Sequence, residues 1–297
     1  MNIKKLLFVT KFEELWFDSL QSLLDLRKAD LNHVVFLNVI EREKVALRRG
    51  TGYQKTEELK LREKANIRFI DWAESLFEQG LEVGVYIVVG AMVQQVISAA
   101  QKETADLIVI GRQKKSKIEE LLTGSAITEI IRRTSLPVLV YKYLAPQGNQ
   151  TEKPFARPLL ATNWSPASQR AVEYLRPLKQ VVEEVNVIHV ADEDSLKGAS
   201  AMGIQKTRKE SRKKLDMICD TLEADGLKAR AHVYIGETVD QIEKAARECQ
   251  ATMIIAGTPG VNSWKKRLTG SIPQALADDS VFPTLLIPPA PEAPSQE

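Results

Sequence analysis

Cysteine is almost missing from this sequence. Cys219 and Cys249 are the only two in 297 residues, too few for a disulfide framework and in keeping with a reducing compartment. Both fall in segments of helical period, where a half-buried thiol is the expected setting. An excess of one charge is missing too. Forty-one Lys and Arg face 39 Asp and Glu, a formal +2, which removes the basic footprint a nucleic-acid binder needs. There is no long hydrophobic run. In the opening stretch MNIKKLLFVTKFEELWF the apolar core is only LLFV before Lys11 interrupts, well short of a signal-peptide h-region, and no later segment approaches a bilayer span. With three histidines, no His/Cys cluster has metal-ligand spacing, and neither HExxH nor GxSxG occurs. These absences predict a cytoplasmic protein without membrane insertion or a nucleic-acid partner.

What is present is written twice. A shift of 146 residues superimposes Gly80 on Gly226, Gly90 on Gly236, Gly111 on Gly257, Gly124 on Gly270, Ser125 on Ser271 and Pro137 on Pro283 without a gap. The apolar pattern moves with it, since Val93, Val96 and Ala99 fall on Val239, Ile242 and Ala245. Aligned landmarks in one register indicate two copies of one domain.

Each copy alternates short apolar runs with segments of helical period. KLLFVT, HVVFLNVI, VGVYIVVG, ADLIVIG and LPVLVYK open the first; PLLAT, EVNVIHV, ARAHVYIG, ATMIIAG and FPTLLIP follow in the second. Runs apolar throughout suit strands buried on both faces of a parallel sheet. Trp16, Leu20, Leu23 and Leu24 make one helical stripe, and Ile67, Ile70 and Phe77 another in the charged stretch 54–79. Gly80 and Gly226 stand where each long helix should stop, and Ser165-Pro166 marks a helix start. The expected fold class is α/β, two tandem domains, each an open five-stranded parallel sheet with helices on both faces. The expected boundaries are 1–142 and 157–288, a polar linker at 143–156, and a disordered tail at 289–297. The last strands, LPVLVYK and FPTLLIP, resemble the strands through which related single-domain proteins dimerise, and an unpaired apolar edge invites aggregation, so they are expected to pair edge to edge in an intrachain pseudo-dimer.

The chemistry gathers in two loops, GRQKKSKIEELLTGS at 111–125 and GTPGVNSWKKRLTGS at 257–271. Each follows an apolar strand, and in an open parallel sheet ligands bind beyond the carboxyl ends of strands. Gly270-Ser271 begins the next helix, whose free N–H groups and dipole favour an anion. Gly257, Gly260 and Gly270 would admit a ligand close to the backbone, and Lys265, Lys266 and Arg267 raise the local potential. Taken alone, such glycines more often serve turns and a Gly-Ser before a helix most often serves as a cap, and no Gly-Lys-Ser/Thr follows to make a Walker loop.

The spacing G-x2-G-x9-G-S after an apolar strand, with a later hydrophobic-Pro-hydrophobic strand, resembles the universal stress protein family over nearly the whole of both copies. The resemblance implies a stress-response regulator on a Rossmann-like fold that binds adenine nucleotide, ATP, with Mg2+ as a companion carried by phosphate oxygens and water. In the second copy it assigns Gly257, Gly260, Gly270 and Ser271, with the adjoining Ile272, to the phosphate side. Thr162-Asn163 and His189-Val190, at the ends of the first two strands, fall on the adenine and ribose side. In the first copy only Gly111, Gly124 and Ser125 remain, because Lys114 stands where the second has Gly260.

The departures shape the functional expectation. The family's first strand commonly ends in an aspartate; here Asn163 and Lys11 take its place. Asparagine can accept a hydrogen bond through its amide oxygen, whereas lysine cannot. Trp164 replaces a small residue and either crowds the site or stacks on a base. His33 reads as a surface or cap residue, His189 as a packing element rather than a base, and His232 as a structural slot, since it matches Tyr86. No nucleophile with a base in reach appears. The sequence therefore predicts a non-enzymatic regulator that binds nucleotide in its second domain and answers to a regulatory protein partner and, beyond the chain itself, to a homodimer. The alternative is an interaction scaffold whose sites are vestigial or take another small molecule.

Overall fold

A computed structural model describes residues 2–11, 17–46, 52–112, 126–142, 153–192, 200–259 and 271–290. Five strands come from the first half: β1 (Lys5–Val9), β2 (His33–Ile40), β3 (Glu82–Val89), β4 (Leu107–Arg112) and β5 (Val138–Lys142). Five come from the second: β6 (Pro158–Ala161), β7 (Val185–Asp192), β8 (Ala229–Gly236), β9 (Met253–Gly257) and β10 (Thr284–Ile287). The described helices are α1 (Phe17–Gln21), α2 (Arg42–Val45), α3 (Lys55–Glu78), α4 (Met92–Lys102) and α5 (Ala126–Arg133) in the first half. In the second they are α6 (Pro166–Leu175), α7 (Ala201–Ala224), α8 (Thr238–Glu248) and α9 (Ile272–Asp279).

The strands form a single ten-stranded sheet in the order β3-β2-β1-β4-β5-β10-β9-β6-β7-β8. Within each half every pairing is parallel. The halves join where β5 and β10 run antiparallel, with Leu139 opposite Leu285. Two edges that would each expose a row of unpaired backbone groups thereby satisfy one another. Alternation along each strand sends side chains into two layers. Leu6, Phe8 and Phe36 point into a layer roofed by α1, α3, α6 and α7. Leu7, Val9 and Val35 point into one roofed by α4, α5, α8 and α9. Phe8, Phe36, Phe69 and Trp72 meet as an aromatic group in the first layer, with Phe17 stacked on Trp72.

The helix ends fall where glycine and serine placed them. Gly80 and Gly226 take φ of 78° and 90° just past α3 and α7, a left-handed turn that glycine adopts without a Cβ penalty. Ser165 caps α6 by accepting a bond from Ser168 N–H at 3.3 Å, with Pro166 in the first turn. One stripe faces the other way from the sequence reading. α3 buries Ala65, Phe69 and Leu76, while Ile67, Ile70 and Phe77 lie outside, 58, 49 and 58% exposed. The helix carries two apolar stripes, and the one bearing Phe69 and Trp72 fits the aromatic group on the sheet. Of the other stripe, Leu20 and Leu23 are buried and Leu24 half-buried; Trp16 lies outside the described residues.

The described end of the stretch read as linker packs into the second half. Phe155 and Ala156 are buried, Pro154 O accepts from the Thr252 hydroxyl at 2.8 Å, and Ala156 O accepts from Glu183 N–H at 2.7 Å. The start of the stretch read as tail is also held. Buried Arg170 of α6 donates from one guanidinium nitrogen to Pro288 O (2.8 Å), Pro289 O (2.9 Å) and, across the junction, Ser135 O of the first half (3.1 Å). Residues 291–297 lie outside the described residues.

Candidate functional site

Strand order reverses in the second half at β6, which has β9 on one side and β7 on the other. Chains leaving β6 and β9 at their carboxyl ends diverge to opposite layers, to α6 and α9, the place at which open parallel sheets bind ligands. A parallel crossover returns its helix antiparallel to the sheet, so the N-termini of α6 and α9 both lie at this rim.

The loop after β6 is closed by its own hydrogen bonds. Asn163 Oδ1 accepts from Ser165 N–H at 3.2 Å and from the Ser168 hydroxyl at 2.8 Å. Asn163 N–H donates back to Ser168 Oγ at 3.3 Å. An amide oxygen has two lone pairs, and both are taken. This corrects the sequence reading, in which that oxygen accepts from a ligand; the group left to offer is the Nδ2 donor. Thr162 is buried, and its hydroxyl accepts from Trp164 N–H at 3.1 Å. Trp164 stands at φ 65°, a left-handed conformation that costs a non-glycine residue about 1–3 kcal/mol. Its indole lies on His189, centroids 4.8 Å apart, and Lys214 of α7 sits 5.4 Å from the indole centroid. These contacts hold the strained residue against the side of β7, which runs on to Asp192, so His189 and Val190 lie within that strand and not at its end as the sequence suggested; Val190 is half-buried against the opposite layer.

His189 has a structural task. Its Nδ1 lies 2.8 Å from Thr162 O, and a carbonyl only accepts, so Nδ1 carries the proton. In the first half Asn38 Nδ2 makes the same bond to Thr10 O at 2.9 Å. The two positions match, since Thr10 N–H pairs with Leu37 O and Thr162 N–H with Ile188 O. His232, in the Tyr86 slot, sits 3.2 Å from Asn186 Oδ1, and burial lowers its pKa. His33 lies 3.3 Å from Glu82 at the start of β2, and burial lowers its pKa as well.

Beyond β9, Gly257 has a use other than the one its motif suggested. A Cβ there would stand 2.8 Å from Ala167 Cβ and from Ser168 N, inside normal contact. The missing side chain therefore lets the first turn of α6 lie on the end of β9, which corrects the reading of this glycine as room for a ligand. The next residue does offer chemistry. Thr258 is 3% exposed, its N–H donates to Ile287 O at 2.8 Å, and its hydroxyl is buried without a partner among the described residues. Ser271, the N-cap of α9, makes no side-chain cap bond, and its hydroxyl too is buried and unpartnered. Buried hydroxyls without partners are uncommon and call for an explanation. Ile272 begins α9, 38% exposed. Gly260, Gly270 and Lys265, Lys266 and Arg267 lie outside the described residues.

The first half presents a different rim. Lys11, in the place of Asn163, forms an ion pair with Glu41 at 2.9 Å. Gly111 is buried in β4 opposite Tyr141. Lys114, Gly124 and Ser125 lie outside the described residues. Among the described residues no group of three or more His, Cys, Asp or Glu could hold a metal ion, and no helix is long and apolar enough to cross a membrane. Cys219 is buried, which pushes its thiol up to about 11, and burial raises Cys249 as well.

Sequence reasoning brought Thr162, Asn163, His189, Val190 and Gly257 to one rim, with Ser271 and Ile272 at the helix that faces it. It missed Thr258, whose signal was a hydroxyl directly after the strand-end glycine. It also missed Ser168, legible only as the third helical residue after a Ser-Pro cap.

A profile described as the universal stress protein family matches residues 2–142 and 155–288. The universal stress protein MJ0577 of Methanocaldococcus jannaschii is 28% identical over 153 residues, covering 47% of this chain and 94% of that protein. Among solved structures, a universal stress protein from Archaeoglobus fulgidus has the same fold, with a TM-score of 0.77 at 22% identity, over 98% of both chains. A putative universal stress protein from Pseudomonas aeruginosa matches with a TM-score of 0.64 at 16% identity, over 97% of this chain and 94% of that one. Two matched segments on one duplicated fold make this chain a member of the universal stress protein family that carries the family's unit twice.

Proposed function

We propose that the second half binds an adenine nucleotide, ATP, across the rim between β6 and β9, and that the protein acts as a stress-response regulator without substantial catalysis. One observation carries the reading: the hydroxyls of Thr258 and Ser271 are buried and unpartnered, one at the end of β9 and the other at the start of α9. Phosphate oxygens are the acceptors such donors lack, and the N-terminus of α9 adds free N–H groups and a favourable dipole. Gly260 and Gly270 extend this cradle, Thr162, Asn163 and Val190 form its base-side wall, and Mg2+ enters only with the phosphates. Gly111, Gly124 and Ser125 give the first half a weaker counterpart, degraded by Lys114 and by Lys11 in its ion pair with Glu41. The two units run from 1–142 and 155–288, the second two residues longer than the sequence reading because Phe155 and Ala156 pack into it, and the protein works in the cytoplasm.

Among the described residues of the rim, catalysis lacks its parts. Asn163 and Lys11 provide no carboxylate at the strand ends to orient water, so hydrolysis far below the ~10 s⁻¹ typical of enzymes is expected. Bound nucleotide would act by shifting conformation or a surface for a regulatory partner. A second reading rests on the loop after β6: with Asn163 Oδ1 taken and Trp164 stacked on His189, the base side is crowded and the rim suits a smaller phosphorylated ligand.

Calorimetry with ATP tests the proposal. The wild type should bind, Gly260→Lys should abolish binding, and Thr258→Val and Ser271→Ala should each weaken it about tenfold, the value of one hydrogen bond to a charged group. Heat with pyrophosphate but none with ATP would select the second reading, and no heat with either would end both.

A further inference from the structure

The sheet ends on β3 at one side and on β8 at the other, and the duplication makes each edge a control for the other. Glu82 N–H donates to Asn32 O at 2.8 Å, and Val185 N–H donates to Lys228 O at 2.8 Å. Backbone direction alternates along a strand. Ala229, Ala231, Val233 and Ile235 therefore turn their N–H and C=O groups away from β7, as Val83, Val85, Ile87 and Val89 turn theirs away from β2. Such a row is a template for a further strand unless something covers it.

The first half covers its row. Arg62 of α3 donates through Nη1 to Ile87 O and through Nε to Glu58 Oε1 at 2.5 Å, so the carboxylate pins the guanidinium over the edge. The 146-residue shift carries Arg62 to Arg208, Ile87 to Val233 and Glu58 to Ile204. The pin is gone. Arg208 of α7 makes no hydrogen bond or ion pair among the described residues, and none of them bonds to the outward backbone groups of Val233. Instead Arg208 and Val233 line a cavity of about 590 Å³ between α7 and the edge, together with Met202, Lys206, Lys209 and Arg212.

The charges beside the edge say what fits there. Four cations and no carboxylate line this cavity. Lys206 pairs with Glu210 at 4.0 Å and Arg212 with Asp216 at 2.8 Å, while Arg208 and Lys209 have no partner among the described residues. Past Arg212, toward Ala229, the groove turns acidic, with Asp216, Asp220 and Glu223 set against Arg230. Those acids repel a long polyanion such as a nucleic-acid strand. The match is a short extended chain that brings its own backbone donors and acceptors and places carboxylates beside Arg208 and Lys209.

We infer that the edge of β8 takes an extended acidic segment of a partner protein as an added strand, its backbone paired with Ala231, Val233 and Ile235 and its carboxylates on Arg208 and Lys209. Strand addition of this kind draws affinity from main-chain hydrogen bonds and selectivity from alternate side chains. The edge lies two strands from β6, so the inference is independent of the nucleotide reading.

Fluorescence anisotropy of a fluorescein-labelled (Thr-Glu)3 peptide titrated with the full chain tests it. The wild type should bind this peptide and not (Thr-Lys)3. R208E/K209E should weaken binding about tenfold. I204E, which writes the pinning acid of α3 into α7 and draws Arg208 over the Val233 carbonyl, should weaken it about fivefold, the value of one hydrogen bond. Both variants should keep the wild-type circular dichroism spectrum. Two further peptides, N-methylated on every Glu or on every Thr, leave the protein untouched. Only the set whose N–H groups face β8 should lose binding, a result that misfolding or charge alone cannot mimic. No binding of (Thr-Glu)3 by the wild type up to about 1 mM overturns the inference. So does equal binding of (Thr-Lys)3, undiminished binding by either variant, or an equal effect of the two methylations.

Discussion

Replacing Gly257 by Ala should destabilise the protein with no nucleotide present. The new methyl would lie 2.8 Å from Ala167 Cβ and Ser168 N and 2.9 Å from Ala167 C, where carbon contacts settle near about 3.5–4.0 Å. Two of the three opposing atoms are backbone, so no rotamer change relieves the contact and the first turn of α6 must withdraw. That helix also holds Ala171, Tyr174 and Leu175 in the core and Arg170 in its clamp, so its retreat disturbs packing far from the glycine. Overpacking of this kind costs about 1–3 kcal/mol. At about 2–4 °C per kcal/mol for a unit of this size, the melting midpoint should fall by about 2–12 °C. Differential scanning calorimetry of the apo protein reads this directly. Gly84→Ala is the matched control, because its methyl would meet nothing nearer than Val35 Cγ2 at 3.4 Å, ordinary contact, and a strand alanine is no worse than glycine. If Gly257→Ala melts with the wild type while anion binding disappears, the missing Cβ serves a ligand after all and the packing argument fails.

Other perturbations follow from buried polar groups. Arg170→Met removes the donor shared by Ser135 O, Pro288 O and Pro289 O; it should cost about 3 kcal/mol, and urea unfolding should show it as a lowered midpoint. Burial lowers the pKa of both His33 and His232. The folded state therefore binds fewer protons than the unfolded one, so stability is full above the unfolded value of 6.5 and declines as pH falls through the lowered folded values. Thermal melts between neutral pH and pH ~5 should show that decline. His232→Gln, which keeps an amide within reach of Asn186, should flatten it; an equally steep decline in that variant would remove His232 as a cause.

The duplication, the alternation of β and α and the stopping points of the helices were legible because each is a local property. Gly80 and Gly226 end their helices through their own backbone freedom, and Ser165-Pro166 starts one through its own side chain and ring. A run apolar at every position reports burial on both faces whatever lies opposite. His232 in the slot of Tyr86 was readable from the internal alignment alone. The pairing of β5 with β10 was expected from the likeness of these strands to those through which single-domain family members dimerise, and edge chemistry gives its reason, since each half would otherwise leave an apolar strand open.

Tertiary structure decided what depends on who stands opposite. α3 carries two apolar stripes, and periodicity weighs them alike; the aromatic group of Phe8 and Phe36 selects the one with Phe69 and Trp72 and leaves Ile67, Ile70 and Phe77 in solvent. Gly257 reads as phosphate room until Ala167 and Ser168 arrive on it from a helix far away in sequence. Asn163 reads as an acceptor until Ser165 and Ser168 take both lone pairs of its oxygen. A sequence states which atoms a residue brings, but whether a lone pair, a methyl-sized space or an apolar face is still free is settled by the partners that folding brings against it.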